Sequence, residues 1–161
     1  MLLRATIPND EISRQRGYIY AALVVEESQV YIGQTRANHG ALGRLSQHLA
    51  FNPPGTLRKR VHEILGTEIS GLGAVEFAAV RLSDKPLFHE EAQDYREAVE
   101  ALCMYALIDR IWAADFSVGL IPRVGFSGYR KDPDVMAEAE RVANELLRWL
   151  ESTVKSGSTQ T

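Results

Sequence analysis

The chain has 161 residues, 45% of them hydrophobic and 24% charged, with a formal net charge of −3. This is the balance of one ordinary folded domain, and at this length a core forms without disulfides or structural metal. A single cysteine, Cys103, excludes an internal disulfide and a Cys/His zinc framework. No apolar run has the length of a membrane span and the N-terminus lacks a signal-peptide pattern, so a cytoplasmic protein is expected.

In chain order, residues 1–16 carry scattered apolar positions and read as an N-terminal arm or short helix. Residues 17–25 (GYIYAALVV) and 30–35 (VYIGQT) are rich in aromatic and β-branched types, as strands require. The polar segment Glu26-Glu27-Ser28-Gln29 joins them as a hairpin, pairing Val25 with Val30 and Tyr20 with Thr35. Ala41 to Phe51 is helical, with Leu42, Leu45 and Leu49 as its packing stripe. Asn52-Pro53-Pro54-Gly55 breaks it, and Thr56 caps a second helix with Leu57, Val61, Ile64 and Leu65 on one side.

Val75 to Leu82 is a third strand. His89 to Ala113 is a long helix whose second half is apolar over most of its circumference, so it is buried on most sides. A Gly/Pro-containing loop follows from Asp115 to Lys131. Asp132 then caps a last helix with Pro133 in its first turn and Val135, Ala139, Val142, Leu146 and Leu150 facing the core. The order β-β-α-α-β-α plus one helix gives an α+β fold with a small, mainly antiparallel three-stranded sheet flanked by helices. The expected divisions are an arm (1–16), a domain (17–113), a loop and C-terminal helix packed on it (114–154), and a disordered tail (155–161).

The charge is unevenly placed. From Ser28 to His62 there is no acidic residue, while Arg36, Arg44, Arg58, Lys59 and Arg60 fall in that window with His39, His48 and His62. A net acidic chain does not grip nucleic acid over its whole surface, but a local phosphate-facing surface is expected here. Strand alternation puts Tyr20 and Tyr31 on one face of the hairpin, beside a glycine that lets another group approach the backbone. Arg44 and His48 lie about 40° apart on their helix and roughly 100° from the leucine stripe, at the edge of the core. Glu100 falls where its helix becomes apolar, and a carboxylate there needs a cation or an arginine to offset its burial. Glu97 is the alternative one turn earlier, in a wetter setting.

Four segments together resemble the GIY-YIG nuclease superfamily: Tyr18-Ile19-Tyr20, Tyr31-Ile32-Gly33-Gln34-Thr35, Arg44-Leu45-Ser46-Gln47-His48, and Glu100 on the late helix. The likeness covers residues 17–113. Gly17 stands one residue early for the first motif. The family's late asparagine has no counterpart between Asn52 and Asn144, which leaves that role empty or to Asp115 or Ser117.

The resemblance implies a metal-dependent DNA endonuclease that hydrolyses phosphodiester bonds with one metal ion. Glu100 would bind Mg2+ or Mn2+, a hard cation that takes oxygen ligands. Arg44 would clamp the phosphate, and Tyr20 would be the general base, its phenol pKa drawn down by nearby positive charge. Tyr31 and His48 would position Tyr20, the water or the phosphate. Gln34, Arg36, Arg58, Lys59 and Arg60 would contact DNA. The expected protein is a stand-alone, restriction- or repair-like enzyme, with a homodimer as an option and no membrane partner. The alternative is a DNA-binding module of the same fold without cleavage. A small-molecule enzyme finds no Gly-rich phosphate loop to support it.

Overall fold

The computed structural model describes residues 10–50, 55–68, 74–90, 93–113, 118–121 and 128–157. Strands β1 (Tyr18–Val24), β2 (Gln29–Thr35) and β3 (Val75–Arg81) form an antiparallel sheet with β1 in the middle. Helices α1 (Gly40–Leu49) and α2 (Thr56–Leu65) follow β2. The short α3 (Pro86–His89) and long α4 (Asp94–Ala113) follow β3, and α5 (Pro133–Gly157) closes the described chain. The expected α+β class and strand-and-helix order are those observed. Of the expected arm, the described part holds one turn of 3₁₀ helix, Glu11–Ser13.

Every residue of β1 is buried, because a middle strand covered on both faces must be apolar throughout. Ile19, Ala21 and Leu23 with Val30 and Ile32 of β2 pack on Val99, Cys103 and Leu107 of α4 and on Val142 and Leu146 of α5. Tyr20, Ala22, Val24 and Tyr31 face the other way, onto Leu57 and Val61 of α2. The sheet therefore separates a large aliphatic core from a smaller aromatic one.

Several expectations need correction. The hairpin register is shifted by two: Tyr20 pairs with Gly33, Ala22 with Tyr31 and Val24 with Gln29. The turn is Val25–Ser28, closed by Ser28 N–H to Val25 O at 3.2 Å, with Ser28 at φ 49°. Val25 is held on its other side by Ala74 O, which keeps it out of the β2 ladder. An even shift preserves the faces. It also makes the two tyrosines diagonal neighbours and sets Gly33 directly opposite Tyr20.

The loop expected over 115–131 contains a fourth strand, β4 (Gly119–Ile121), parallel to β2, and a 3₁₀ turn at Gly128–Lys131. Three residues are too few for a periodic signal, and pairing with β2 covers an otherwise open edge. The helix expected from His89 is two: α3, started by Pro86, and α4, which begins at Asp94. Asp115 and Ser117 lie outside the described residues.

Helix α1 is rotated from its expected orientation. Its buried residues are Gly40, Ala41 and His48, while Leu42, Leu45 and Leu49 are only half-buried. On α2, Leu57 and Val61 are buried but Ile64 is 44% exposed. Helix α5 runs through Gly157, into the segment expected as a tail.

The start of α5 follows the sequence closely. Asp132 Oδ1 accepts from the Asp134 and Val135 amides at 2.8 and 3.3 Å, just ahead of Pro133. Asp132→Ala should therefore lower the unfolding free energy by about 1 kcal/mol, seen as a lower urea midpoint with an unchanged slope.

Candidate active site

Tyr20 stands at the centre of the middle strand, and its phenol lies over Gly33. A methyl group at Gly33 would overlap the Tyr20 hydroxyl and Cζ, so glycine is required here by close approach. The ring stacks on Phe77, with centroids 5.6 Å apart, and Tyr31 lies 6.2 Å away on the same face. His48 meets Tyr31 edge-on at 5.4 Å.

The hydroxyl of Tyr20 is 2.5 Å from His48 Nε2. The main-chain amide of Leu57 donates to His48 Nδ1 at 3.1 Å, which makes that nitrogen an acceptor. A neutral imidazole has one donor and one acceptor, so its proton is on Nε2 and points at Tyr20. Arg44 Nε–H donates to the same oxygen over a longer 3.4 Å. Tyr20 thus accepts two hydrogen bonds and keeps its own proton for a third partner.

This arrangement explains the rotation of α1. A buried imidazole is tolerated only when its polar atoms are bonded, and His48 finds both partners inward. It also supplies the acceptor at the amino end of α2 that a capping side chain would give, since the capping position is Gly55. Gly55 is needed there because a methyl would overlap the main-chain carbonyls of Gln47 and His48.

Burial pushes the Tyr20 phenol well above its ordinary range. Tyr31 and Glu100 act in the same direction, and Arg44 opposes them through its hydrogen bond and its charge. The expected lowering of this pKa is therefore overturned: desolvation outweighs the guanidinium in the chain by itself.

Glu100 is 7% exposed, while Glu97 is half-buried, as the sequence suggested. The Glu100 charge reaches Tyr20 through the protein. It also adds to the burial that pushes the Cys103 thiol up to about 12. The chemistry of this donor suits a hard cation. Among the described residues no cluster of three His, Cys, Asp or Glu side chains could hold a metal ion.

The residues expected to contact DNA divide. Gln34 and Arg36 line a polar cavity with Arg44 at the end of β2. Lys59 is exposed, and Arg60 pairs with Glu63 at 2.8 Å on the surface. Arg58 departs from the expectation of a phosphate-facing side chain. It is 7% exposed and its Nε–H donates to Leu49 O at 2.8 Å, tying α2 to the end of α1. The acid-free window is therefore not one surface. Sequence reasoning missed Arg96, which is 3% exposed and lines the same cavity. Its signal was its place four residues before Glu100, on the same side of α4.

Comparison with family models, with curated proteins and with solved structures finds no match for this chain. Among the described residues no helix is long and apolar enough to cross a membrane.

Gly33→Ala should displace the Tyr20 ring while leaving the fold intact. The overpacking should cost about 1–3 kcal/mol, with a change in near-ultraviolet circular dichroism and an unchanged far-ultraviolet spectrum. The Tyr20 shift has its own signature. Its folded pKa lies above the unfolded value of 10.0, so the folded chain holds that proton more tightly. This contribution is complete below the unfolded pKa and is lost as pH rises through the folded one. Above pH 10.0 the wild type should lose stability more steeply than Tyr20→Phe, as measured by urea unfolding.

Proposed function

We propose that the chain is a divalent-metal-dependent endonuclease that hydrolyses phosphodiester bonds in DNA, working alone and in the cytoplasm. The observation that carries this reading is the Tyr20 hydroxyl, which accepts from both His48 and Arg44 within reach of the Glu100 charge. The likeness of the four sequence segments to GIY-YIG nucleases supports it. A phenol held as a double acceptor has its lone pairs engaged and its proton directed elsewhere. Two donors also favour its ionised form once the proton leaves.

In this reading Tyr20 first gives its own proton to solvent, and the small ionised fraction present near neutrality takes the proton of the attacking water, while His48 holds the phenol oxygen in place from behind. Arg44 offers the rest of its guanidinium to the phosphate oxygens, because only its Nε bonds Tyr20 and its Nη1 bonds Gln47. Tyr31 packs beside both rings and sets their spacing. Glu100 would hold Mg2+ or Mn2+, which supplies Lewis-acid stabilisation of the phosphate charge when bound. Arg36 and Lys59 would hold the DNA backbone without reading its sequence.

The test is nicking of supercoiled plasmid with Mg2+ or Mn2+. Tyr20→Phe should lose roughly 100-fold or more in rate, the span general-base catalysis covers, with DNA binding nearly unchanged. Glu100→Gln should abolish cleavage. Because the phenol is protonated near neutrality, the wild-type rate should climb about tenfold per pH unit between roughly pH 7 and 9, and the residual Tyr20→Phe rate should not. Binding without nicking under every metal condition would leave a DNA-binding module instead.

A further inference from the structure

The polar cavity at the end of β2 has a volume of about 430 Å³. It lies between the end of that strand, α1 and the start of α4. Three guanidinium groups line it, those of Arg36, Arg44 and Arg96, together with the side-chain amides of Gln34, Gln47 and Gln93. No carboxylate is among its described lining residues. Three like charges around one small space repel each other, and an anion relieves that repulsion.

The walls are built rather than incidental. Arg96 is 3% exposed, and its fork is oriented by bonds that include Gln34 Oε1 at 3.1 Å, Glu90 O at 2.5 Å and Phe88 O at 3.5 Å. Burial lowers its pKa and the Arg36 charge lowers it further, with the Glu97 carboxylate acting the other way, so the two guanidinium groups sense each other. Arg36 Nε–H is enclosed and finds no acceptor among the described residues. Such a donor is costly to bury unless a ligand completes it.

Arg44 joins this cavity to the Tyr20 site. Its Nε donates to Tyr20 and its Nη1 to Gln47 Oε1 at 3.1 Å. Whatever anion enters the cavity is therefore next to any phosphate held at Tyr20. The volume is in the range of small-ligand sites and matches a single nucleotide. The amides offer both donors and acceptors, which suits a sugar and a base edge.

We propose that this cavity is a nucleotide subsite that seats the phosphate next to the scissile one on the same strand. Arg96 and Arg36 grip that phosphate, and the glutamines take its sugar and base. The inference rests on the proposed phosphodiester chemistry for the identity of the ligand, and it adds Arg96 to the binding residues.

The probe is thymidine 3′,5′-bisphosphate, titrated calorimetrically into the full chain without metal, with inorganic phosphate as a second titrant. The bisphosphate should bind saturably at one site and more tightly than phosphate. Arg96→Gln and Arg36→Gln should each weaken it about tenfold or more, and Arg148→Gln, on the outside of α5, should not. Should Arg96→Gln fail to fold, as judged by circular dichroism, the half-buried Arg36 carries the test. Absent binding, or binding indifferent to Arg36→Gln, overturns the proposal. Phosphate binding as tightly as the bisphosphate overturns the nucleotide part. A chain that binds the bisphosphate through these arginines but never nicks plasmid overturns the nuclease reading alone. A chain that nicks with Glu100 dependence but ignores the bisphosphate overturns this subsite alone.

Discussion

The imidazole of His48 joins three pieces of the molecule through two hydrogen bonds. One nitrogen receives the amino end of α2, and the other donates to a tyrosine in the middle of the sheet. Each bond is of ordinary strength, about 1 kcal/mol net. Their combined effect is on geometry: they settle which tautomer the ring adopts, which way α1 faces and where the Tyr20 oxygen sits. Gly33 and Gly55 serve the same end, since each removes a methyl that would push these groups apart.

Around that point the protein buries polar and ionisable groups of several kinds. Tyr20, Tyr31, His48, Glu100 and Arg96 are all buried, at the border between the sheet and its helices. Desolvation of such groups opposes folding unless hydrogen bonds and opposite charge offset it. The aliphatic core on the other face of the sheet, shared by β1, β2, α4 and α5, supplies the stabilisation that makes this tolerable. Helix α4, which packs on that aliphatic face, also carries Glu100 and Arg96, so stabilising and functional residues share one element.

The charge distribution is divided. Acid-free sequence does not make a basic surface. Arg58 turns inward to close the end of α1, Arg60 pairs with Glu63, and only part of the positive charge reaches the cleft. The guanidinium groups that do converge come from β2's end, from α1 and from α4, elements separated by up to sixty residues of chain. Convergence of this kind makes a local positive potential in a chain whose net charge is −3.

The amino-acid sequence by itself determined the order of the main strands and helices, the cap at Asp132 and the shared face of Tyr20 and Tyr31. These rest on local rules: period-two alternation, helical spacing and capping chemistry act within a few residues. The shared face does not depend on which of these registers the hairpin takes, because a shift of two leaves alternation unchanged. Tertiary structure decided the pairing of Tyr20 with Gly33, since the turn depends on how Val25 is held by the chain at Ala74. It also decided the rotation of α1, where two bonding partners for a histidine outweighed a stripe of leucines. The short β4 pairs with the free edge of β2, and Arg96 reaches inward to Gln34 across 62 residues of chain. Those partners lie far away in sequence, and no local pattern encodes them.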